Sequence, residues 1–436
     1  MNKCEMLELL HKSVVPAVGC TEPACVAIAA ADSARAAGGT IERIQLEVSS
    51  SIYKNGMSVG IAGFENVGLE YAAALGACIG KPEMGLEIMN GINEDISACA
   101  IAICNENKVE ITIREEEEGI FVRCVTITGK GEGLSLIRGS HTNIVLTEAN
   151  GIILFQKEEK LSAEVTSSLD KLKELRISEI RELVLLADEN ELSFLADGIK
   201  MNQQLADFSI KHNPGIGIAK VLNLNSRGSL IGDSVLEKIM IQVAAATEAR
   251  LDGCPYAAMS SAGSGSKGIA VILPVVQVAE AVNADRKKML QAMAFAHLLN
   301  EYINGYIGKL SAVCTCAVAS ATAAAAAIAW LMGGDDEQIG YAIRNMTGNI
   351  TGMICDGGKV GCALKLSTAS GAAFTSALLA VNGVGLRVTD GICAVTPEAC
   401  IKNIARIGNP GMIQTDKEIL HIMLSKGTAN SRMDRK

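Results

Sequence analysis

The chain changes its hydrophobic period more than once. Over 3–37 the apolar positions recur at helical spacing, the second half is alanine-rich, and Gly38-Gly39 ends the stretch. From 41 to 51 the sequence IERIQLEVSSS alternates as a strand does, and 108–128 reads as two alternating runs around 115–119. Val109, Ile111 and Ile113 share one face, and Ile120, Val122 and Cys124 lie on the returning run, which predicts a hairpin. Glu115, Glu116, Glu117 and Glu118 then form its solvated tip. Further strand-like runs occupy 140–147 and 151–156, and 68–78 reads as a helix. From 162 onward nearly everything is helical, with charged amphipathic helices over 162–211 and apolar, Ala/Gly-rich ones over 234–385.

These patterns predict an α+β fold. A large, mainly helical domain (161–436) carries an inserted smaller α/β domain (41–160) with a mixed or antiparallel sheet. Residues 1–40 share the composition of the helical part and are expected to pack into it. No repeat period is evident.

Composition narrows the classes. Of 436 residues, 49% are hydrophobic but only 3% aromatic, with 43 glycines, so the core is built from small and aliphatic side chains. A net charge of −9 offers no basic face for phosphates, which argues against nucleic acid. The N-terminus has no continuous apolar run of the secretory kind. Fourteen cysteines in that setting imply a reducing, cytoplasmic compartment, where thiols act as ligands, catalysts or core fillers. Most are expected to be core fillers, including Cys78, Cys99, Cys104 and Cys124. The uncharged stretch 310–334 is long enough for a bilayer, but Ala, Ser, Thr and Cys dominate it, so a helix buried in a bundle explains it better than a membrane span.

Three motifs carry candidate chemistry. In Gly19-Cys20-Thr21-Glu22-Pro23, Pro23 suits a first helical turn, and a cysteine at a helix N-terminus is drawn toward thiolate. Cys20 is therefore a candidate base or nucleophile, against the plain reading of a buried turn cysteine; Cys25 is expected in the core.

The stretch 260–268 contains Gly263, Gly265 and Gly268 in a GxGxxG pattern. Dinucleotide binding needs a strand before it, and the residues before it read as helical, so that use is not expected. Ser264, Gly265, Ser266 and Lys267 at the start of an apolar helix form an anion cradle suited to an amino-acid carboxylate. Ser264 and Lys267 also spell SxxK, and Lys267 as a Schiff-base lysine has no supporting motif.

The third motif is Cys314-Thr-Cys316 with Cys355 and Cys362. This is not a zinc-finger spacing. Three thiolates holding a 4Fe-4S cluster fit better, with Gly357, Gly358 and Gly361 allowing the backbone close to sulfide and one iron left open as a Lewis acid. Unpaired core thiols are the plain alternative. Among the histidines, His11, His212 and His421 are expected at the surface and His297 as a satisfied core residue; His141 is the best substrate-binding candidate.

Together, GCTEP at 19–23, SAGSGSKG at 261–268, CTC at 314–316 and GMICDGGKVGCALK at 352–365 resemble the L-cysteine desulfidase family, which is related to the iron–sulfur L-serine dehydratase alpha chain. The likeness runs from Cys20 to Lys365. It implies a lyase with a 4Fe-4S cluster and no pyridoxal phosphate, converting L-cysteine to pyruvate, ammonia and sulfide. By the same resemblance Cys20 matches the proton acceptor, and Cys355 and Cys362 match two cluster ligands. The third ligand falls on Cys314 or Cys316, with Cys314 preferred. The loop 261–268 is then expected to hold the carboxylate, with Lys54 and Asn55 closing over it and His141 and Lys365 as further substrate contacts. L-serine dehydratase, a non-catalytic redox or metal-binding protein, and a pyridoxal lyase are the alternatives. A cytoplasmic homodimer is expected.

Overall fold

The computed structural model describes residues 1–157, 163–226, 232–308 and 311–426. The chain starts with helix α1 (Lys3–Ser13), short strand β1 (Pro16–Val18) and helix α2 (Thr21–Ala37). Strand β2 (Ile41–Ser49) leads into α3 (Ser50–Gly56), α4 (Leu69–Ile79) and α5 (Glu94–Asn105), with a 3-10 stretch at Pro82–Gly91. Strands β3 (Val109–Arg114), β4 (Phe121–Thr128), β5 (Gly131–Arg138), β6 (Ile144–Ala149) and β7 (Ile152–Gln156) follow.

The sheet is mixed, in the order β3-β2-β4-β5-β6-β7. Strand β3 runs parallel to β2, and every other neighbouring pair is antiparallel. The expected 109–124 hairpin is therefore corrected, because β2 lies between its two arms. Alternation tells which face a residue takes but not which strand is its neighbour. The connection from β3 to β4 passes the end of β2, where Ser49 Oγ donates to the Gly119 carbonyl at 2.7 Å. Of the four glutamates there, Glu117 accepts two bonds from Arg138 at 2.7 and 2.9 Å, and the other three are exposed.

Ile44, Leu46, Val48, Val122 and Ile137 are buried on one face of the sheet, against α2 and α4. Alanines let these helices come close. A Cβ on Gly76 of α4 would lie 2.1 Å from the Ala27 carbonyl of α2, so only glycine fits there. The segment 1–40 divides between two cores instead of packing as one unit into the helical body. Met6, Leu9 and Leu10 of α1 join the helical core, whereas Ala24 to Ala31 of α2 belong to the core under the sheet.

The helical part contains α6 (Ala163–Lys173), α7 (Ile177–Leu185), α8 (Leu195–His212), α9 (Ile218–Ser226) and α10 (Val235–Leu251). After strand β8 (Ala257–Met259) come α11 (Gly265–Ala281), α12 (Arg286–Ile307), α13 (Val318–Leu331), α14 (Asp336–Ile350), α15 (Cys362–Val381), α16 (Pro397–Arg406) and α17 (Ile413–Ser425). The expected boundary at 160/161 lies outside the described residues, as does residue 310. The alanine-rich α13 is buried over all but Trp330, as a helix apolar on every side should be. Among the described residues, Cys362–Val381 is the helix long and apolar enough to cross a membrane, and half of it is buried. Glu248 of α10, 1% exposed, accepts the backbone N–H groups of Ile216, Gly217, Ile218 and Ala219 at 2.8–3.0 Å, so a buried carboxylate caps the start of α9.

Strands β1 and β8 pair antiparallel, Pro16 opposite Met259 and Val18 opposite Ala257. A strand thus does precede the GxGxxG glycines, contrary to the sequence expectation. It has three residues and an antiparallel partner, so it is not the parallel βαβ unit of a dinucleotide fold.

Candidate active site

The pairing of β1 with β8 assembles the site. Each strand runs straight into a motif: β1 into Gly19-Cys20, β8 into 261–268. Gly19 has φ +66°, which turns the chain so that Cys20 becomes the N-cap of α2. Ser264 is the N-cap of α11. Neither side chain bonds back to its own helix, so two helix N-termini with their unfilled amides meet at one place.

Between them lies a cavity of about 360 Å³, within the range usual for small-molecule sites. Cys20, Ser264 and Ser266 line it, as do Lys54, Asn55 and His141 from the α/β unit. Cys314, Cys316, Cys355, Cys362 and Lys365 line it as well. Of the residues singled out in the sequence, Gly265 is set back from the cavity: a Cβ there would lie 2.5 Å from Arg250 Nε.

The four cysteines come from two loops zipped together. Cys314 N–H donates to the Met353 carbonyl (2.9 Å) and Cys355 N–H to the Ala312 carbonyl (2.7 Å), around a bridge between Val313 and Ile354. The Cys314 and Cys355 thiols are hydrogen-bonded, which lowers Cys355 and raises Cys314. Cys362 is the first residue of α15 and reaches the Gly357 carbonyl at 3.5 Å. Burial pushes Cys316 up to about 12, with Lys267 opposing.

Among the described residues no three His, Cys, Asp or Glu side chains are arranged to hold a single metal ion. A lone zinc needs its sulfur donors about 2.3 Å from one centre. Cluster thiolates each bind a different iron and stand further apart. Four thiols from two loops lining one small cavity therefore fit a cluster by donor type, although the bonded Cys314 and Cys355 thiols lie closer together than two ligands of different irons.

Two of the three glycines between Cys355 and Cys362 have a use besides the one expected. Gly357 has φ +91°, and a Cβ there would lie 2.1 Å from the Lys54 carbonyl; one on Gly358 would lie 2.9 Å from the Asn55 carbonyl. They let the cysteine loop press on α3. Lys54 is 4% exposed and forms an ion pair with Asp416 of α17. Lys365 pairs with Asp356, as does Lys359. Burial opposes the Asp356 charge, yet these two lysines hold its carboxyl down at about 2.

Arg250, at the end of α10 and 3% exposed, was not marked by the sequence. Its Nη2 donates to the Gly19 carbonyl (2.6 Å), and Nη1 to Ser266 Oγ (2.8 Å) and Cys20 Sγ (3.6 Å). Burial pushes the Cys20 thiol up to about 11 against the pull of Arg250. That reverses the expectation drawn from the helix N-terminus alone.

A polar network also went unseen. Lys267 Nζ donates to Asn304 Oδ1 (2.6 Å), Asn304 Nδ2 to Asn300 Oδ1 (2.9 Å), and Asn300 Nδ2 to Ser261 Oγ (2.8 Å). His297 Nδ1 meets the same hydroxyl at 2.9 Å, while its buried Nε2 has no partner among the described residues, so this core histidine is only half satisfied. Burial pulls it down to about 3, which keeps it neutral. The H-x2-N-x3-N spacing of His297, Asn300 and Asn304 on α12 places these side chains on one helix face, the one signal that could have revealed the network.

The remaining expectations divide. Cys25 and Cys124 are buried as expected, Cys78 and Cys104 are half-buried, and Cys99 is exposed. His11, His212 and His421 are exposed.

Comparison with known proteins gives a consistent picture. Residues 138–421 match the family model described as serine dehydratase alpha chain. Over 420 residues the chain is 38% identical to a UPF0597 protein of Alkaliphilus oremlandii, covering 96% of this chain and 97% of the relative. A UPF0597 protein of Clostridioides difficile is 38% identical over 422 residues, 96% of this chain and 98% of the relative. One from Desulfatibacillum aliphaticivorans is 37% identical over 428 residues, 96% and 98%.

Proposed function

This chain belongs to the serine dehydratase alpha chain family, and on that footing we propose that it is a lyase acting on L-cysteine. The reaction takes L-cysteine and water to pyruvate, ammonia and hydrogen sulfide. The observation that carries the reading is the meeting of Cys20, from the N-terminal turn, with Cys314, Cys316, Cys355 and Cys362 around one cavity.

β-Elimination needs a base at the α-carbon and help for a poor leaving group. Cys355 and Cys362, with Cys314 or Cys316, would hold a 4Fe-4S cluster, which supplies an open iron as Lewis acid for the leaving sulfur. Cys20 is the base. Burial holds its proton even against the pull of Arg250, and the α2 N-terminus also favours the thiolate; in this reading substrate binding tips that balance so that Cys20 takes the α-proton. Ser264, Ser266 and the first-turn amides of α11 hold the substrate's anionic end. Lys54, Asn55 and His141 close the opposite wall and limit water in the cavity. The released enamine tautomerises and hydrolyses without further help. Fourteen cysteines kept as free thiols suit a reducing cytoplasm, and the small-residue helices suit a homodimer.

L-Serine is the second reading, favoured by the family's description; it needs the same base and differs only in the leaving group. Anaerobic, iron-reconstituted protein should release sulfide and pyruvate from L-cysteine faster than pyruvate from L-serine. The reverse order assigns a serine dehydratase, and elimination from neither substrate overturns the lyase reading.

A further inference from the structure

We infer that Arg250 anchors the substrate's α-carboxylate and so makes the site select amino acids over other small thiols and alcohols. The inference deepens the lyase reading and rests on it for what the carboxylate belongs to; the anion site itself rests on geometry.

Arg250 is 3% exposed and carries a guanidinium cation. Its partners are a carbonyl, a hydroxyl and a thiol, and among the described residues no carboxylate pairs with it. A buried guanidinium without a counter-ion is costly, so the position calls for an anion. The side chain cannot swing away to find one. A Cβ on Gly265 would lie 2.5 Å from Nε, so the guanidinium is wedged against the first turn of α11.

Of its five N–H groups, two are used on Gly19 and Ser266 and a third only on a long contact to sulfur. Donor capacity therefore remains beside the cavity. Three further features favour an anion there. The α11 N-terminus has no side-chain cap, Lys267 is buried in the same turn, and Ser266 Oγ lies 2.8 Å from Arg250 Nη1. Two carboxylates, Glu22 and Glu301, line the same cavity, and Glu22 accepts from Thr21 Oγ1 (3.1 Å).

The placement fits the chemistry as well. The α-hydrogen is one bond from the carbon that bears the carboxylate. An anchor whose Nη1 touches Cys20 Sγ therefore sets that hydrogen next to the base.

The test is binding, measured apart from turnover. Full-length, anaerobically purified protein is titrated by calorimetry with L-alanine and with L-alaninamide, neither of which has a β leaving group and the second of which lacks the carboxylate charge. Wild type should bind L-alanine roughly tenfold or more tighter than the amide. Arg250→Gln should bind both alike at the weaker affinity, and Arg250→Lys should recover part of the preference. The inference is overturned if wild type shows no preference for the acid, or if Arg250→Gln or Arg250→Lys keeps the full preference while activity falls, since Arg250 then only supports Cys20. Should Arg250→Gln fail to fold by circular dichroism, the Arg250→Lys ratio decides alone. An intact acid preference in a protein that eliminates from neither L-cysteine nor L-serine would overturn the lyase reading and leave the anion site standing.

Discussion

Arg250 Nη1 touches Cys20 Sγ at 3.6 Å although 230 residues separate the two in sequence. The contact exists because β1 pairs with β8 immediately before the two turns that carry the chemistry. Burial holds the Cys20 proton, and the guanidinium opposes that effect without overcoming it.

Cys20→Ala should lower turnover by roughly 10²–10⁴-fold, the range of a lost general base. Iron content and the visible spectrum should stay at wild-type values, because Cys20 is not among the thiols proposed to hold the cluster. Steady-state assays with parallel iron determination check this.

Cys355→Ser and Cys362→Ser should each abolish the reconstituted absorption near ~400 nm. One of Cys314→Ser and Cys316→Ser should do the same, and the other should keep the cluster. Iron per chain after anaerobic reconstitution reads the outcome and assigns the third ligand.

Gly357→Ala places a Cβ 2.1 Å from the Lys54 carbonyl on a residue with φ +91°. The strain should cost about 1–3 kcal/mol and lower the melting temperature. Gly352→Ala has no atom within 4 Å of the new Cβ and serves as the neutral control. Differential scanning calorimetry compares the two.

Glu47 predicts a pH effect. Burial works against its charge, but Arg114 (2.7 Å) and Arg123 (2.6 Å) hold its carboxyl below the ordinary value of 4.5. A depressed folded-state pKa stabilises the protein above the unfolded value, and that contribution disappears as pH falls through the folded one. Glu47→Gln should therefore cost about 1 kcal/mol at pH 7, with both arginines half-exposed and screened. The difference from wild type should shrink to nothing in acid. Urea titrations at pH 7 and in steps through the acid range test the sign.

Several parts of this arrangement were legible in the sequence. The cysteine motifs and GCTEP stood out by residue type, spacing alone left plain core thiols as an equal reading, and it was the family resemblance that linked them; the strands showed through period-two alternation. Strand order did not, because Val109–Ile113 and Ile120–Cys124 alternate identically whether paired with each other or with β2 between them. The split of 1–40 was hidden because α1 and α2 share one apolar composition while packing in different cores. Arg250 was invisible for a different reason: one arginine near a helix end looks like an ordinary dipole partner, and only the fold buries it beside Gly19 and Ser266. Gly357 and Gly358 were seen as permissive backbone, but the atom they make room for belongs to α3.

The most direct test of the central claim is sulfide release from L-cysteine by anaerobically reconstituted protein, followed together with the visible absorption during exposure to air. The account predicts sulfide and pyruvate in equal amounts, with activity and absorption lost in step. A colourless preparation that turns over L-cysteine at an undiminished rate in air would contradict it.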